Sequence, residues 1–234
     1  GARSPQGGRE IQGRLSKDET IVRTPFEVRH MGSKYPIFSF DFIGAKKGIL
    51  PTSYDYLRLE GRMQYRLNLP PVGYSRLMLE GGKIFGKVPY LLLKLHEGNG
   101  TYFYDRYAFS CMNFYEFSSD AWISFFYEHH FNGFLLGRVP LLKKLNWREV
   151  FVFKGVYGTL SARNDGSLPN TKAVMLFPVG MSSVEHPYLE TGFGIENIFR
   201  LLRVDCIWRL THHRAVPGLS IPTFTVNFSL NLKF

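Results

Sequence analysis

From Thr223 to Phe234 polar and apolar residues alternate without a break. Phe224, Val226, Phe228, Leu230, Leu232 and Phe234 fall on one side, and Thr223, Thr225, Asn227, Ser229, Asn231 and Lys233 on the other. Side chains along a strand have a period of two, so the segment predicts a strand with one apolar and one polar face. Its twelve residues, at about 3.4 Å each, suffice to cross an apolar band about 25 Å tall with tilt.

The same pattern recurs upstream. Leu202, Val204, Cys206, Trp208 and Leu210 alternate with Arg203, Asp205, Ile207, Arg209 and Thr211. Leu57, Leu59, Gly61, Met63, Tyr65, Leu67 and Leu69 alternate with Arg58, Glu60, Arg62, Gln64, Arg66 and Asn68. Ala121, Ile123, Phe125, Tyr127, His129 and Phe131 oppose Trp122, Ser124, Phe126, Glu128, His130 and Asn132, and Leu189, Thr191, Phe193 and Ile195 oppose Glu190, Gly192, Gly194 and Glu196. Phe38, Phe40 and Phe42 mark a shorter strand, and Val22, Phe26 and Val28 face away from Arg23, Glu27 and Arg29. Residues 72–85 and 147–161 read as strands with poorer alternation. The expected strands are 18–30, 36–44, 54–69, 72–85, 119–133, 147–161, 187–197, 201–212 and 222–234. Residues 101–117 offer a tenth, although Tyr107, Cys111, Phe114 and Tyr115 also fit a helical stripe.

Connections differ in length. Those near 31–35, 70–71 and 198–200 are short, and those near 45–53, 86–118, 162–186 and 213–221 are long. Short turns on one side and long loops on the other are the asymmetry of outer-membrane barrels. Segment 134–146 departs from it and reads as a short amphipathic piece at the periplasmic rim. The predicted fold class is all-β: an antiparallel transmembrane β-barrel of about nine to ten strands, or the C-terminal part of one. Residues 1–17 are expected to be a flexible N-terminal segment and 18–234 the barrel region. An odd strand count that starts on the outside predicts either upstream strands or a miscounted one.

Composition sharpens this picture. Apolar runs such as Val88–Leu93 fall far short of the ~18 residues of a membrane-crossing helix, so a membrane would be crossed by strands. Aromatic residues make up 16% of the chain, which suits strands and interfacial girdles. The net charge of +10 comes from arginines scattered over alternating positions, which argues against a nucleic-acid partner. Cys111 and Cys206 show no metal or disulfide-framework spacing,; a bridge between them remains open beside two separate thiols. No charged-then-apolar leader follows Gly1, so an exported chain would be a mature form or a fragment.

Several residue groups invite chemistry. The polar positions Arg58, Glu60, Arg62 and Arg66, with Glu190, Glu196, Arg203, Asp205 and Arg209, would line a lumen as an ion-pair ladder, or form a polar conduit or docking surface. Arg138, Lys143, Lys144, Trp147 and Arg148 suit a periplasmic docking patch or an interfacial anchor. The pairs His129–His130 and His212–His213 cannot each chelate one ion, because neighbours in a strand point to opposite faces; no metal or cofactor is expected. Ser124 and His130 share a face but lie too far apart along one strand for a nucleophile and its base. Gly192–Asn197 looks faintly like a dinucleotide loop, but lacks the third glycine and any βαβ setting.

The stretch EHHFNGFLLGRVPLLKKLNWREV (Glu128–Val150), followed by GVYGTLSARN, resembles a family of Bacteroidota outer-membrane proteins of unknown function that often carry an N-terminal carboxypeptidase-regulatory-like domain. GGKIFGKVPY, TYFYDRYAFSCMNFYEFSSD and YLETGFGIENIFRLLRVDCIWRLTH resemble its C-terminal region, so the likeness spans roughly 55–234. It implies a surface-antigen barrel of the BamA and TamA type and no catalytic residues. The combined expectation is a non-enzymatic barrel of the bacterial outer membrane, acting in envelope assembly, secretion or transport. Its partners would be outer-membrane lipids, other envelope proteins or an N-terminal part of the same protein. The barrel-assembly machinery would read Phe228, Leu230, Leu232 and Phe234 of the last strand. The rivals are an outer-membrane esterase or deacylase and a soluble lipid-binding β-barrel.

Overall fold

The computed structural model describes residues 9–23, 28–47, 54–214 and 220–230. Its strands in chain order are β1 (Arg9–Leu15), β2 (Thr20–Arg23), β3 (Val28–Gly32), β4 (Ile37–Ala45), β5 (Tyr56–Asn68), β6 (Tyr74–Gly86), β7 (Lys94–Leu95), β8 (Phe117–Ser119), β9 (Ala121–His130), β10 (Arg148–Thr159), β11 (Ser182–Ser183), β12 (Tyr188–Ile198), β13 (Leu202–Arg209) and β14 (Phe224–Leu230). Nine of them form one antiparallel sheet in the order β1-β4-β5-β6-β9-β10-β12-β13-β14. Among the described residues, the two outer strands, β1 and β14, do not pair with each other.

The alternation read from the sequence sorts the two faces of this sheet. One face carries Ile11, Phe40, Leu59, Phe85, Ile123, Tyr157, Phe193, Trp208 and Phe228, all exposed. The other carries Glu80, Glu128, Lys154, Glu190, Arg203, Asp205 and Arg209, all buried. That is the reverse of a protein whose apolar face is covered and whose charges meet water.

Side-chain contacts show that the sheet curls. Strands in a sheet lie about 4.8 Å apart, so β9 and β13, separated by two strands, would stand about 14 Å apart if flat. Arg203 of β13 nevertheless reaches Glu128 of β9 at 3.1 Å. His130 of β9 similarly reaches Glu196 of β12 at 3.2 Å. The polar face is therefore concave, and the long connection between β6 and β9 fills it. This connection also touches the edge strand: Tyr104 N–H donates to the Phe228 carbonyl at 2.8 Å, and Phe228 N–H to the Tyr102 carbonyl at 2.7 Å.

Close approach on the concave side demands glycine in the wall. A Cβ at Gly82 would stand 2.5 Å from the Trp122 indole and 2.6 Å from the Leu59 carbonyl. Gly194 leaves room for the Asp205 carboxylate on β13. The Gly192–Asn197 stretch thus belongs to strand β12, with Gly192, Gly194 and Glu196 on its inner face, and is not a nucleotide loop.

The structure corrects several expectations. The first wall strand is Arg9–Leu15, paired with β4, within the segment expected to be flexible. The expected strand 18–30 is replaced by the separate hairpin β2–β3; Phe26 and Glu27 lie outside the described residues. Segment 101–117 is neither a tenth wall strand nor a helix, but irregular chain inside the concavity that ends in β8. Segment 134–146 holds a single 3-10 turn, Leu136–Arg138, and the one-turn helix α1 (Pro140–Lys143).

The weak alternation of 147–161 has a physical cause. Val150, Val152 and Val156 of β10 are buried on the concave side. Val156 joins a cluster with Met78, Phe109, Met112, Phe117, Phe126, Val184 and Tyr188, supplied partly by the filling connection. Where loop residues cover the wall, its inner face turns apolar and the period of two fades.

Candidate functional site

The concave face carries three polar groups, and each ties the β6–β9 connection to the wall. The first is a ladder on β5 and β6. Arg58 pairs with Glu60 at 2.8 Å and Arg62 with Glu80 at 2.6 Å. Lys94, from the connection, reaches Glu80 at 2.6 Å and Glu60 at 3.9 Å.

Glu128 of β9 is the centre of the second group. It accepts from the Tyr104 hydroxyl and from Arg106 Nε, each at 2.7 Å, and from Arg203 at 3.1 Å. Arg203 also holds Asp205, two residues along β13, with Nε 2.7 Å from Oδ2. Lys154 of β10 donates to the carbonyls of Asp105 and Ala108 at 2.8 and 2.5 Å. Three wall strands thus grip residues 104–108 of the connection.

The third group lies toward the other end. Glu190 accepts the backbone N–H groups of Ser110 and Cys111 at 2.9 and 2.6 Å, and the Tyr188 hydroxyl at 2.6 Å. Arg209 binds Glu116 at 2.5 Å and the Cys111 and His212 carbonyls. A carboxylate that accepts backbone N–H groups needs no regular structure in its partner, so an irregular loop can be held rigidly this way.

The candidate residues named from sequence divide accordingly. Arg58, Glu60 and Arg62 share the ladder, Arg203 and Asp205 the Glu128 group, and Glu190 and Arg209 the third. Glu196 binds His130. Among the described residues Arg66 joins no ion pair, and it stacks 4.2 Å from the Tyr74 ring. The single comb expected from the alternation is therefore three separate clusters.

Of the rim residues, Lys143, Trp147 and Arg148 border one shallow depression of about 570 Å³. Arg138 instead stacks 4.0 Å from Phe134, and Lys144 is exposed. Phe228 and Leu230 point outward on β14 and are exposed; Leu232 and Phe234 lie outside the described residues.

Glu128 was legible as a polar position of an alternating strand, whereas Glu80 lies on β6, whose alternation is poorer. Lys94 opens the two-residue strand β7, and Tyr104, Arg106 and Glu116 sit on irregular chain; no period in the sequence marks them.

Cys111 and Cys206 are both free. Cys111 is buried inside the concavity, while Cys206 takes an outward position on β13. Burial, with the Glu190 carboxylate next, pushes the Cys111 thiol up to about 12, so it is inert as a nucleophile at neutral pH.

His96 follows β7, buried, with Nε2 2.9 Å from the Ser119 hydroxyl. Burial first, and then the Lys94 ammonium, push its pKa down to about 3, with Glu80 opposing. A base whose folded pKa lies below its unfolded value contributes fully above the unfolded value, about 6.5, and loses stability as pH falls toward the folded one. Between pH 6.5 and about 3, His96→Gln is expected to flatten the stability curve by up to about 1.4 kcal/mol per pH unit. Urea midpoints of both proteins across that range test this; parallel curves would show that His96 does not titrate there.

A family model described as "Family of unknown function (DUF5686) C-terminal domain" matches residues 16–162. The match takes in the hairpin β2–β3, the wall from β4 to β10 and the filling connection. No curated protein matches the chain.

Proposed function

The chain belongs to this family of unknown function, and from that premise we propose that it forms the C-terminal wall of an outer-membrane β-barrel with a plugged lumen and no enzymatic role. It would serve envelope assembly, secretion or transport. The observation that carries this reading is the inverted distribution of the two faces. Outward residues of consecutive strands form one exposed apolar belt, while the charges are buried and paired around the β6–β9 connection. A belt of this extent in water would be an aggregation surface; in lipid it is the solvated face. The short turns 69–73 and 199–201 would face the periplasm, with the rim residues 138–148 beside them. The long loops would face outward. Fractionation tests the reading: the chain is expected to stay with outer membranes through an alkaline wash, and a monodisperse monomer in plain buffer would overturn it.

A second reading, an esterase or deacylase, is favoured by one pair. Ser75 on β6 and His129 on β9 meet on the outward face, with the hydroxyl 2.8 Å from Nδ1, while Nε2 lies 3.0 Å from the Val72 carbonyl. The carbonyl can only accept, so Nε2 carries the proton and Nδ1 is left to accept from Ser75, as a general base would. Both residues are buried, however, and the Tyr127 hydroxyl occupies the space 3.1 Å from Ser75 Oγ. The non-enzymatic reading therefore expects no Ser75-dependent labelling by a fluorophosphonate. Labelling that disappears in Ser75→Ala would favour the hydrolase instead.

A further inference from the structure

At the end of the concavity nearest the short turns, the wall and the β6–β9 connection leave an open cavity of about 1130 Å³. Five arginines line it, Arg66, Arg76, Arg106, Arg148 and Arg203, against two carboxylates, Asp105 and Glu196. Arg106 and Arg203 are committed to Glu128, and Arg76 stands 4.0 Å from it. Among the described residues Arg66 and Arg148 have no carboxylate within ion-pair distance and neither guanidinium donates a hydrogen bond; Arg66 stacks on the Tyr74 ring, and Arg148, opposite Glu196 in the β10–β12 pairing, acts on that carboxylate only at longer range.

The positive groups converge. Arg66 and Arg76 lie 4.2 and 5.2 Å from the same Tyr74 ring. That ring stacks on His130, with centroids 4.4 Å apart and planes 12° apart. His130 is almost fully buried in the cavity wall. Its Nδ1 faces Glu196, while its Nε2 has no hydrogen-bond partner, the nearest carboxylate oxygen standing 3.5 Å away on Glu128. Two guanidiniums drawn to one ring, with a third lining the same cavity, repel one another, and an anion bridging them would relieve that repulsion,. A guanidinium presents a planar fork of donors that matches the paired oxygens of a phosphate. Walls of low dielectric around an open mouth strengthen and focus that field.

We propose that this cavity is a binding site for a phosphate-bearing ligand with at least two negative charges, held by the free forks of Arg66 and Arg148 with Arg76 and His130 beside them. The cavity exceeds a single phosphate and has room for a phosphoester's organic part. A lipid headgroup and a soluble phosphoester share this chemistry. The site does not rest on the membrane reading, because the same wall and connection build it in either solvent.

The test uses the full chain in whichever of plain buffer or neutral detergent keeps it monodisperse, with pyrophosphate as probe at about physiological ionic strength. Calorimetric titration is expected to give saturable binding at one site. The double variant Arg66→Gln/Arg148→Gln is expected to weaken it at least tenfold. The charge-matched control Arg163→Gln/Lys172→Gln, both exposed on the β10–β11 connection, is expected to stay within twofold. Urea midpoints equal to the parent's establish that the variants fold; if the double variant does not, Arg66→Lys, which keeps the charge and removes the fork, is expected to weaken binding at least threefold. Displacement of pyrophosphate by phosphatidic acid in mixed micelles would assign the ligand to lipid, and a lack of displacement to a soluble phosphoester. No saturable binding of either probe, or equal weakening in both double variants, would overturn the proposal.

Discussion

Glu128→Ala is expected to lower stability by about 3 kcal/mol or more, the cost of removing one partner from a buried ion pair, and to release the β6–β9 connection from the wall. Glu128 is buried and holds the Tyr104 hydroxyl, Arg106 and Arg203 at once. Arg203 would keep Asp205; Arg106 would lose the only carboxylate with which it pairs among the described residues. Trypsin cleaves after arginine, so cutting at Arg106 reports directly on release. Faster cutting at Arg106 together with a lower urea midpoint is expected. Replacing Arg106 as well, in Glu128→Ala/Arg106→Leu, removes the stranded charge and is expected to recover part of the loss; with Arg106→Leu alone it closes a double-mutant cycle that gives the coupling energy. A parental midpoint and parental cutting rate in Glu128→Ala would show that the Glu128 group does not hold the connection.

Phe193→Lys is the second large effect. Phe193 sits near the middle of β12 on the outward face and is 60% exposed. In water, replacing this exposed phenylalanine costs about 0.5–1.5 kcal/mol, most of it from its ring contact with Phe151 at 5.2 Å,. On the lipid face of a barrel near the bilayer midplane, a lysine costs about 2–4 kcal/mol. The same change at Phe199, 85% exposed in the turn between β12 and β13, falls near the interface, where the cost drops to about 0–1 kcal/mol. The less exposed position is therefore expected to be the more sensitive one when folding into lipid vesicles is titrated with urea. Equal small effects at both positions would mean that the outward face is not in lipid.

Most wall strands were legible because each alternates a mostly polar face with a mostly apolar one. Arg58, Glu60 and Arg62 on β5, and Arg203 and Asp205 on β13, stand out against Leu57, Leu59, Val204 and Cys206 by period alone. Arg9–Leu15 was missed, although Ile11 and Leu15 alternate with Glu10, Gln12 and Arg14, because Gly13 weakens a short and mostly polar segment. Residues 18–30 misled for the opposite reason: a plausible alternation belongs to a hairpin outside the wall. The site was half legible. Its wall carboxylates and arginines follow the strand period. Their partners Tyr104, Arg106, Ser110, Cys111 and Glu116 lie on chain whose position is set by hydrogen bonds to Glu128 and Glu190, and no local rule announces such contacts.

The inverted faces are the centre of the account, and two tryptophans report on them separately. Trp208 takes an outward position on β13 and is 41% exposed, while Trp122 is buried on the concave side against Arg58 and Lys94. The decisive measurement is fluorescence of two variants, one keeping Trp208 alone and one keeping Trp122 alone, in bilayers with brominated acyl chains. With the outward face in lipid, Trp208 is expected to be strongly quenched and Trp122 little. Weak quenching of both, from a chain that stays in the aqueous phase, would contradict it.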